Sequence, residues 1–236
     1  MSSSPDYFVS NQDRIWSHYQ TENPDSFRDA WPRLESLVRE IGAKVPGKPR
    51  VLNIGTGDGH LERTVAKRGW PSYSLDPDPA TIDRIREHGV NGEVGYIEAM
   101  PFADESFDAV VASEVLEHLS DEQIRAGVRE IRRVLRPGGW FVGTVPYREN
   151  LADSLVVCPD CGKRFHRWGH LQTWDEEKMA RIFDGELTFS KAAPRLYPSW
   201  AGQNWKGRVL TAAKVTLFHL GSHGSNERLY FEARRA

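Results

Sequence analysis

The sequence predicts an α/β fold built on a mostly parallel sheet with helices on both faces. Three observations predict it. Short apolar runs take turns with amphipathic helical patterns between residues 50 and 146. A glycine triplet, Gly55, Gly57 and Gly59, follows the first apolar run. Gly, Pro, Asp and Ser mark the places where helices stop and start. Strands alternating with helices need crossover connections, and crossovers cover both faces of a parallel sheet.

The elements follow in order. Residues 25–42 carry Ala30, Trp31, Leu34, Leu37, Val38 and Ile41 at helical spacing. Asp25 can cap this helix, Gly42 can end it, and Pro32 kinks it or marks its true start. "RVLNIG" is the first strand, "LERTVAKRG" a helix stopped by Gly69, and "SYSLD" the second strand. "PATIDRIREHG" is a helix with Ile82 and Ile85 turned inward. "EVGYIEA" and "FDAVVASEV" read as strands three and four. "SDEQIRAGVREIRRVLRPGG" is a helix with Ile124, Val128, Ile131 and Leu135 on one face, and Ser120 with Gln123 forms a capping box. "GWFVGTVP" is the fifth strand. After Pro146 the alternation stops until "WDEEKMARIF", a helix with Thr173 and Glu176 as its capping box. "LTFSKAAPRLY" reads as a strand, "NWKGRVLTAAKVTLFHLG" as a helix and "RLYFEARR" as the last, antiparallel strand.

The 236 residues fit a single domain, 1–236. It divides into an N-terminal helical lid (1–46), a core (47–146), an insertion (147–172) and a C-terminal completion of the sheet (173–236). Net charge is −2, which argues against a nucleic-acid partner. No run reaches the roughly 18 apolar residues of a membrane span. Two cysteines make no disulfide framework, and "MSSSPDYFVSNQ" lacks the regions of a signal peptide, so a cytoplasmic location is expected.

Glycines at the carboxyl end of a parallel strand let backbone approach a ligand closely. A dinucleotide fingerprint needs glycine at position 60, which is His60. Asp76 ends the second strand, where an acid can accept both hydroxyls of a ribose. With "VLNIGTGDGHLE", "LDPD", "IEAMPFADESFDAVVASEVLEHL" and "EIRRVLRPGGWFVGTVP" in this order, the chain resembles class I S-adenosylmethionine-dependent methyltransferases, type 11. The resemblance covers about residues 47–146 and implies a Rossmann-like sheet with S-adenosylmethionine as cosubstrate. It implies that Asn53, Gly55, Thr56, Gly57 and Gly59 face the methionine part, Asp76 the ribose, and Ile97 and Glu98 the adenine. It places Ser113 and Glu114 by the methionine moiety and the acceptor. The chain departs from the family at Asn53, where an acid is usual, and at Tyr96, where an adenine-binding Asp is common.

"SEVLEHL" sets Glu114, Glu117 and His118 at i, i+3 and i+4, one face if the turn is helical. Either His118 packs near the floor of the site, or the three hold a divalent cation. In the insertion, Cys158, Cys161, His166 and His170 have ligand types and gaps that suit a closed, structural zinc site. Asp160 or a water can stand in for His166, and a redox pair or inert thiols is the competing reading. Phe165 is expected to pack the insertion on the sheet.

The function these residues point to is methyl transfer to a small or medium polar acceptor such as a sugar, glycan or nucleotide-linked metabolite. Two rivals stand beside it. One is an RNA methyltransferase using the knuckle-like insertion. The other is a non-catalytic cofactor-binding relative, which Asn53 and Tyr96 favour. No catalytic residue and no oligomeric state follow from the sequence.

Overall fold

A computed structural model describes residues 15–16, 18–20, 24–200, 202–222, 224 and 227–236. Much of the expected N-terminal lid therefore lies outside the described residues. A 3-10 turn, Pro24–Ala30, leads into α1, Trp31–Lys44. Pro32 sits in the first turn of α1, where its missing N–H costs nothing, so it marks the start and makes no kink. The helix runs through Gly42 instead of ending there.

The core follows as β1 (Val51–Ile54), α2 (His60–Lys67), β2 (Ser72–Asp76), α3 (Pro79–Glu87), β3 (Asn91–Val94), β4 (Phe107–Ser113), α4 (Asp121–Val134) and β5 (Leu135–Pro146). β3 is shorter than expected. Its pairing ends at Val94, and Tyr96–Ala99 form an isolated bridge within a loop. β5 is longer, because the backbone from Leu135 already pairs with Phe107 before the register shifts. Ser120 and Gln123 make the expected capping box of α4.

Beyond β5, a short hairpin forms from β6 (Leu155–Val157) and β7 (Arg164–His166). Then come α5 (Glu176–Arg181), β8 (Thr188–Arg195), α6 (Trp205–His219) and β9 (Arg228–Arg234). The cap of α5 is Asp175, whose side chain accepts from the Lys178 N–H, and not the Thr173–Glu176 pair.

The main sheet has seven strands in the order β3-β2-β1-β4-β5-β9-β8. β1 to β5 are parallel neighbours, and β9 runs antiparallel to both β5 and β8. The order reverses between β1 and β4, which opens a crevice at the carboxyl ends of those strands. One buried cluster, with Phe107, Phe141, Trp174, Phe183 and Phe231, fills one face. Leu37, Ile41, Leu61, Val65 and Tyr230 fill the other. Among the described residues, no helix is long and apolar enough to cross a membrane.

Packing at the centre of the sheet is tight at Gly143. A Cβ there would lie 2.1 Å from the Ala112 carbonyl oxygen and 2.5 Å from the Phe231 ring. Gly143→Ala should destabilise the fold by about 3 kcal/mol through overpacking. Scanning calorimetry should then show a Tm roughly 6–12 °C lower. An unchanged melt would mean that β4 and β9 are free to spread.

Candidate functional site

The crevice holds one cavity of about 1280 Å³. Its floor is the loop after β1. Gly55, Gly57 and Gly59 have φ values of 79°, 58° and 77°, in the left-handed region that side chains resist. A Cβ on Gly55 would also meet Val115 at 2.8 Å. The Thr56 N–H donates to Asp76 Oδ2 at 2.8 Å, so the end of β2 holds the loop.

Asp76 is buried and accepts two further bonds, from Asp78 N–H at 3.0 Å and from Gln20 Nε2 at 3.2 Å. Burial raises its carboxyl above the usual range, and the Asp78 and Thr56 N–H groups oppose that rise. Asn53 lines the cavity but is almost fully buried. Its Nδ2 donates to Gly55 O at 3.2 Å and to Glu62 Oε1 at 2.8 Å. Ser74 Oγ donates to the same Glu62 oxygen at 2.6 Å. Glu62 is fully buried, and that burial raises its pKa against the two hydrogen bonds. The sequence reading missed it, because a single Glu in an amphipathic helix looks solvent-facing.

Ile97 and Glu98 lie in the cavity wall, and Glu98 accepts from Gln123 Nε2 at 3.3 Å. Tyr96 lines the wall too and is 40% exposed. Ser113 and Glu114 stand at the end of β4. Arg33 from α1 donates to Ser113 Oγ at 3.0 Å and approaches Glu114 at 3.8 Å. Arg228 from β9 pairs with Glu114 at 2.6 Å. Neither arginine was expected at the site. Glu114 has φ 58°, and the following turn is a short 3-10 segment, Leu116–His118. Glu114, Glu117 and His118 therefore do not share one helical face.

Glu117 is fully buried, and burial together with the Glu114 charge pushes its carboxyl well above the usual value. His118 donates Nδ1–H to the Gly169 carbonyl at 3.3 Å. Burial, reinforced by His170, holds its imidazole down at about 3, so the ring is neutral near pH 7. From the N-terminal segment, Trp16 packs edge-on against His118 at 4.9 Å and Tyr19 lies 5.2 Å from Trp168.

The four expected zinc ligands do not converge. Cys158 and Cys161 sit at the tip of the β6–β7 hairpin, where Gly162 N–H donates to Cys158 O and Cys158 N–H to Lys163 O. His166 pairs across the ladder with Leu155. Cys158 lies three residues further along, about 10 Å away at 3.3 Å per residue. No cysteine joins a group of ligand atoms among the described residues. The Cys161 and Asp160 N–H groups lower the Cys158 thiol pKa, and the N–H···S turn that does so needs no metal. The four residues present do not fit a single tetrahedral ion. Phe165, expected to pack inward, is 38% exposed at the same tip.

The histidines instead turn toward Glu149, a residue that no sequence pattern singles out. His170 Nδ1 lies 2.5 Å from Glu149 Oε2, and His166 Nε2 lies 3.7 Å from Oε1. Burial works against the Glu149 carboxylate, but the hydrogen bond from His170, with His166 and Arg228 nearby, outweighs it and holds its pKa down.

Comparison with known proteins agrees with this geometry. Residues 52–143 match the model of a methyltransferase domain. A demethylmenaquinone methyltransferase of Chlorobaculum parvum is 35% identical over 116 residues, covering 45% of this chain and 47% of that protein. A ubiquinone biosynthesis O-methyltransferase of Methylocella silvestris is 35% identical over 114 residues, covering 45% of this chain and 44% of that protein. The chain thus spans about half the length of the curated relatives it matches. The solved structure of Burkholderia thailandensis 1,6-didemethyltoxoflavin-N1-methyltransferase, bound to its 1,6-didemethyltoxoflavin and S-adenosylhomocysteine, superposes with a TM-score of 0.69. That likeness covers 100% of this chain and 92% of the other at 15% identity, and it establishes a shared fold.

The buried Glu62 carboxyl makes a pH-dependent prediction. Its pKa is raised in the folded state, so folding favours the protonated form. The penalty is absent below the ordinary Glu value and grows as pH rises toward the raised one. Glu62→Gln keeps an oxygen for Asn53 and Ser74 but removes the titration. Its stability relative to wild type should therefore rise between pH 4 and pH 8, read by urea unfolding at each pH. A constant difference would contradict the buried, uncompensated carboxyl.

Proposed function

We propose that the protein transfers a methyl group from S-adenosylmethionine to a small or medium polar acceptor, such as a sugar, glycan or nucleotide-linked metabolite. The observation that carries this reading is the cavity at the carboxyl ends of β1 and β4. One half is walled by the glycine loop, Asp76, Ile97 and Glu98; the other reaches Arg228, Trp168 and His170. The first half offers left-handed backbone for close approach and a carboxylate for a ribose. The second offers aromatic faces and charged groups suited to a polar acceptor. The names of the matched relatives point to small-molecule acceptors as well.

The sulfonium methyl is already reactive, so the protein's task is to align the acceptor in line with the S–CH3 bond and to keep water out. Trp16, Tyr19 and Gln20 border the cavity and would close over the cofactor, which is the role expected of an N-terminal lid. Asp76 already takes three N–H donors. A carboxylate offers about four acceptor positions, so one is free for a ribose hydroxyl. Gln20 would yield a second.

Isothermal titration with S-adenosylhomocysteine tests the cofactor half. Asp76→Asn should weaken binding by about 1.5–3 kcal/mol, roughly 10- to 100-fold, because a charge-assisted hydrogen bond is lost. Wild-type affinity in that variant would sink the ribose assignment. NAD should leave the melting temperature unchanged, since His60 stands where a dinucleotide loop needs glycine. For the transfer itself, isotope-labelled S-adenosylmethionine and a panel of sugars, nucleotide sugars and quinols should yield one methylated product by mass spectrometry.

A further inference from the structure

At the acceptor end of the cavity, Glu117, His118 and His170 each bring a ligand-capable atom within 4.8 Å of the other two. What distinguishes the group is its hydrogen-bond bookkeeping. His118 commits Nδ1–H to the Gly169 carbonyl, so its lone pair is on Nε2, and that buried atom has no hydrogen-bond partner. His170 directs Nδ1 at Glu149, which as a carboxylate only accepts, so in the neutral imidazole the lone pair is likewise on Nε2. Both oxygens of Glu117 are buried and have no hydrogen-bond partner. With His170 neutral, the group has two imidazole lone pairs and an unpartnered carboxyl, and the only proton it can hold is one on Glu117. Water can donate only two protons, and a proton on Glu117 can serve only one histidine across 3.9 Å.

A second triad, Glu149, His166 and His170, is also close enough to suggest ligands. Its protons argue otherwise. His166 Nδ1 accepts from the Trp168 and His170 backbone N–H groups, at 3.3 and 3.1 Å. The ring must then carry its hydrogen on Nε2, the atom facing Glu149. Glu149 and His166 are therefore supports, holding His170 in one tautomer and orientation as outer-sphere partners of metal-bound histidines do.

We propose that Glu117, His118 and His170 bind one divalent transition-metal ion, with Glu149 as the outer partner of His170 and the Gly169 carbonyl as that of His118. Two imidazoles and a carboxylate suit zinc, manganese, cobalt or iron(II) and leave coordination positions open. Those positions face the acceptor end of the cavity. Building on the methyltransferase reading above, the ion fits an acceptor with a hydroxyl group. The hydroxyl binds the ion and releases its proton to solvent. Its oxygen pair then forms the O–CH3 bond, while the S–C pair returns to sulfur and leaves neutral S-adenosylhomocysteine.

The test uses the full chain, stripped with a chelator and titrated with Co2+ or Zn2+ alone. One ion per chain should bind by calorimetry, and Co2+ should give visible bands of an imidazole–carboxylate site. His118→Ala and His170→Ala should each weaken binding more than tenfold, and Glu149→Gln about tenfold. Cys158→Ser should leave it unchanged. Glu117→Gln, which keeps the shape, guards against loss through misfolding and should also weaken it. S-adenosylhomocysteine affinity, measured in parallel on the stripped protein, reports on the cofactor reading by itself and should persist. Absence of a stoichiometric ion in folded protein, or an ion lost on Cys158→Ser and kept on His118→Ala, would overturn the proposal.

Discussion

The cavity depends on one buried carboxylate. Glu62 Oε1 receives Asn53 from β1 and Ser74 from β2 while its own backbone belongs to α2. One oxygen thus ties the first crossover unit together beneath the glycine loop. Asn53 passes the constraint on, because its second bond reaches the Gly55 carbonyl. The loop's three left-handed residues are held in place from below by this network and from the side by Asp76. A carboxyl so deeply buried is costly to ionise, and its placement under the floor fits a site where loop geometry matters more than stability. It also gives Asn53 a physical role. The amide can donate to Glu62, which an acid at that position could not do without a proton.

Much of the core was legible, for reasons that are local. Short apolar runs against the period of 3.6 separate β1, β2 and β4 from α2, α3 and α4. Ser120 and Gln123 announce their helix because capping is a contact three residues long. What was not legible depends on distant partners. The start of β5 at Leu135 is set by pairing with Phe107, not by propensity. A shared face for Glu114, Glu117 and His118 depended on a helical turn, but Glu114 takes a left-handed conformation with φ 58°. The zinc reading came from the gaps between ligands in the chain. The hairpin register then sends Cys158 and His166 to opposite ends of a short ladder. Glu62, Glu149, Arg33 and Arg228 carry no periodic signal, so only the folded chain reveals them.

The insertion is part of the cavity wall and not a module set upon it. It is sewn to the turn after β4, with the Leu171 backbone N–H donating to the Glu117 carbonyl at 2.8 Å and the Gln172 side-chain Nε2 to the Leu119 carbonyl at 2.5 Å. Gly169 O meets His118 from the same side. The backbone fixes two buried rings here: the Gly169 carbonyl takes the His118 Nδ1–H, and the Trp168 and His170 N–H groups donate to His166 Nδ1. Backbone donors and acceptors fix each tautomer, so little freedom remains in the rings. The polar tip with its two cysteines projects away from this seam and is free of such demands.

The placement of β9 between β5 and β8 has a consequence for how the chain acquires its shape during synthesis. β8 leaves the ribosome before β9, yet it has no seat on the sheet until β9 has paired with β5. Some thirty residues, including α6, must emerge while β8 waits with its backbone groups unsatisfied. Arg228, which neutralises Glu114, arrives with the same late strand. The nascent domain can therefore build its parallel half early, but the charge balance of its cavity and the last two strands lock in together. Non-local pairing of this kind is slow, so completion of the sheet waits on β9.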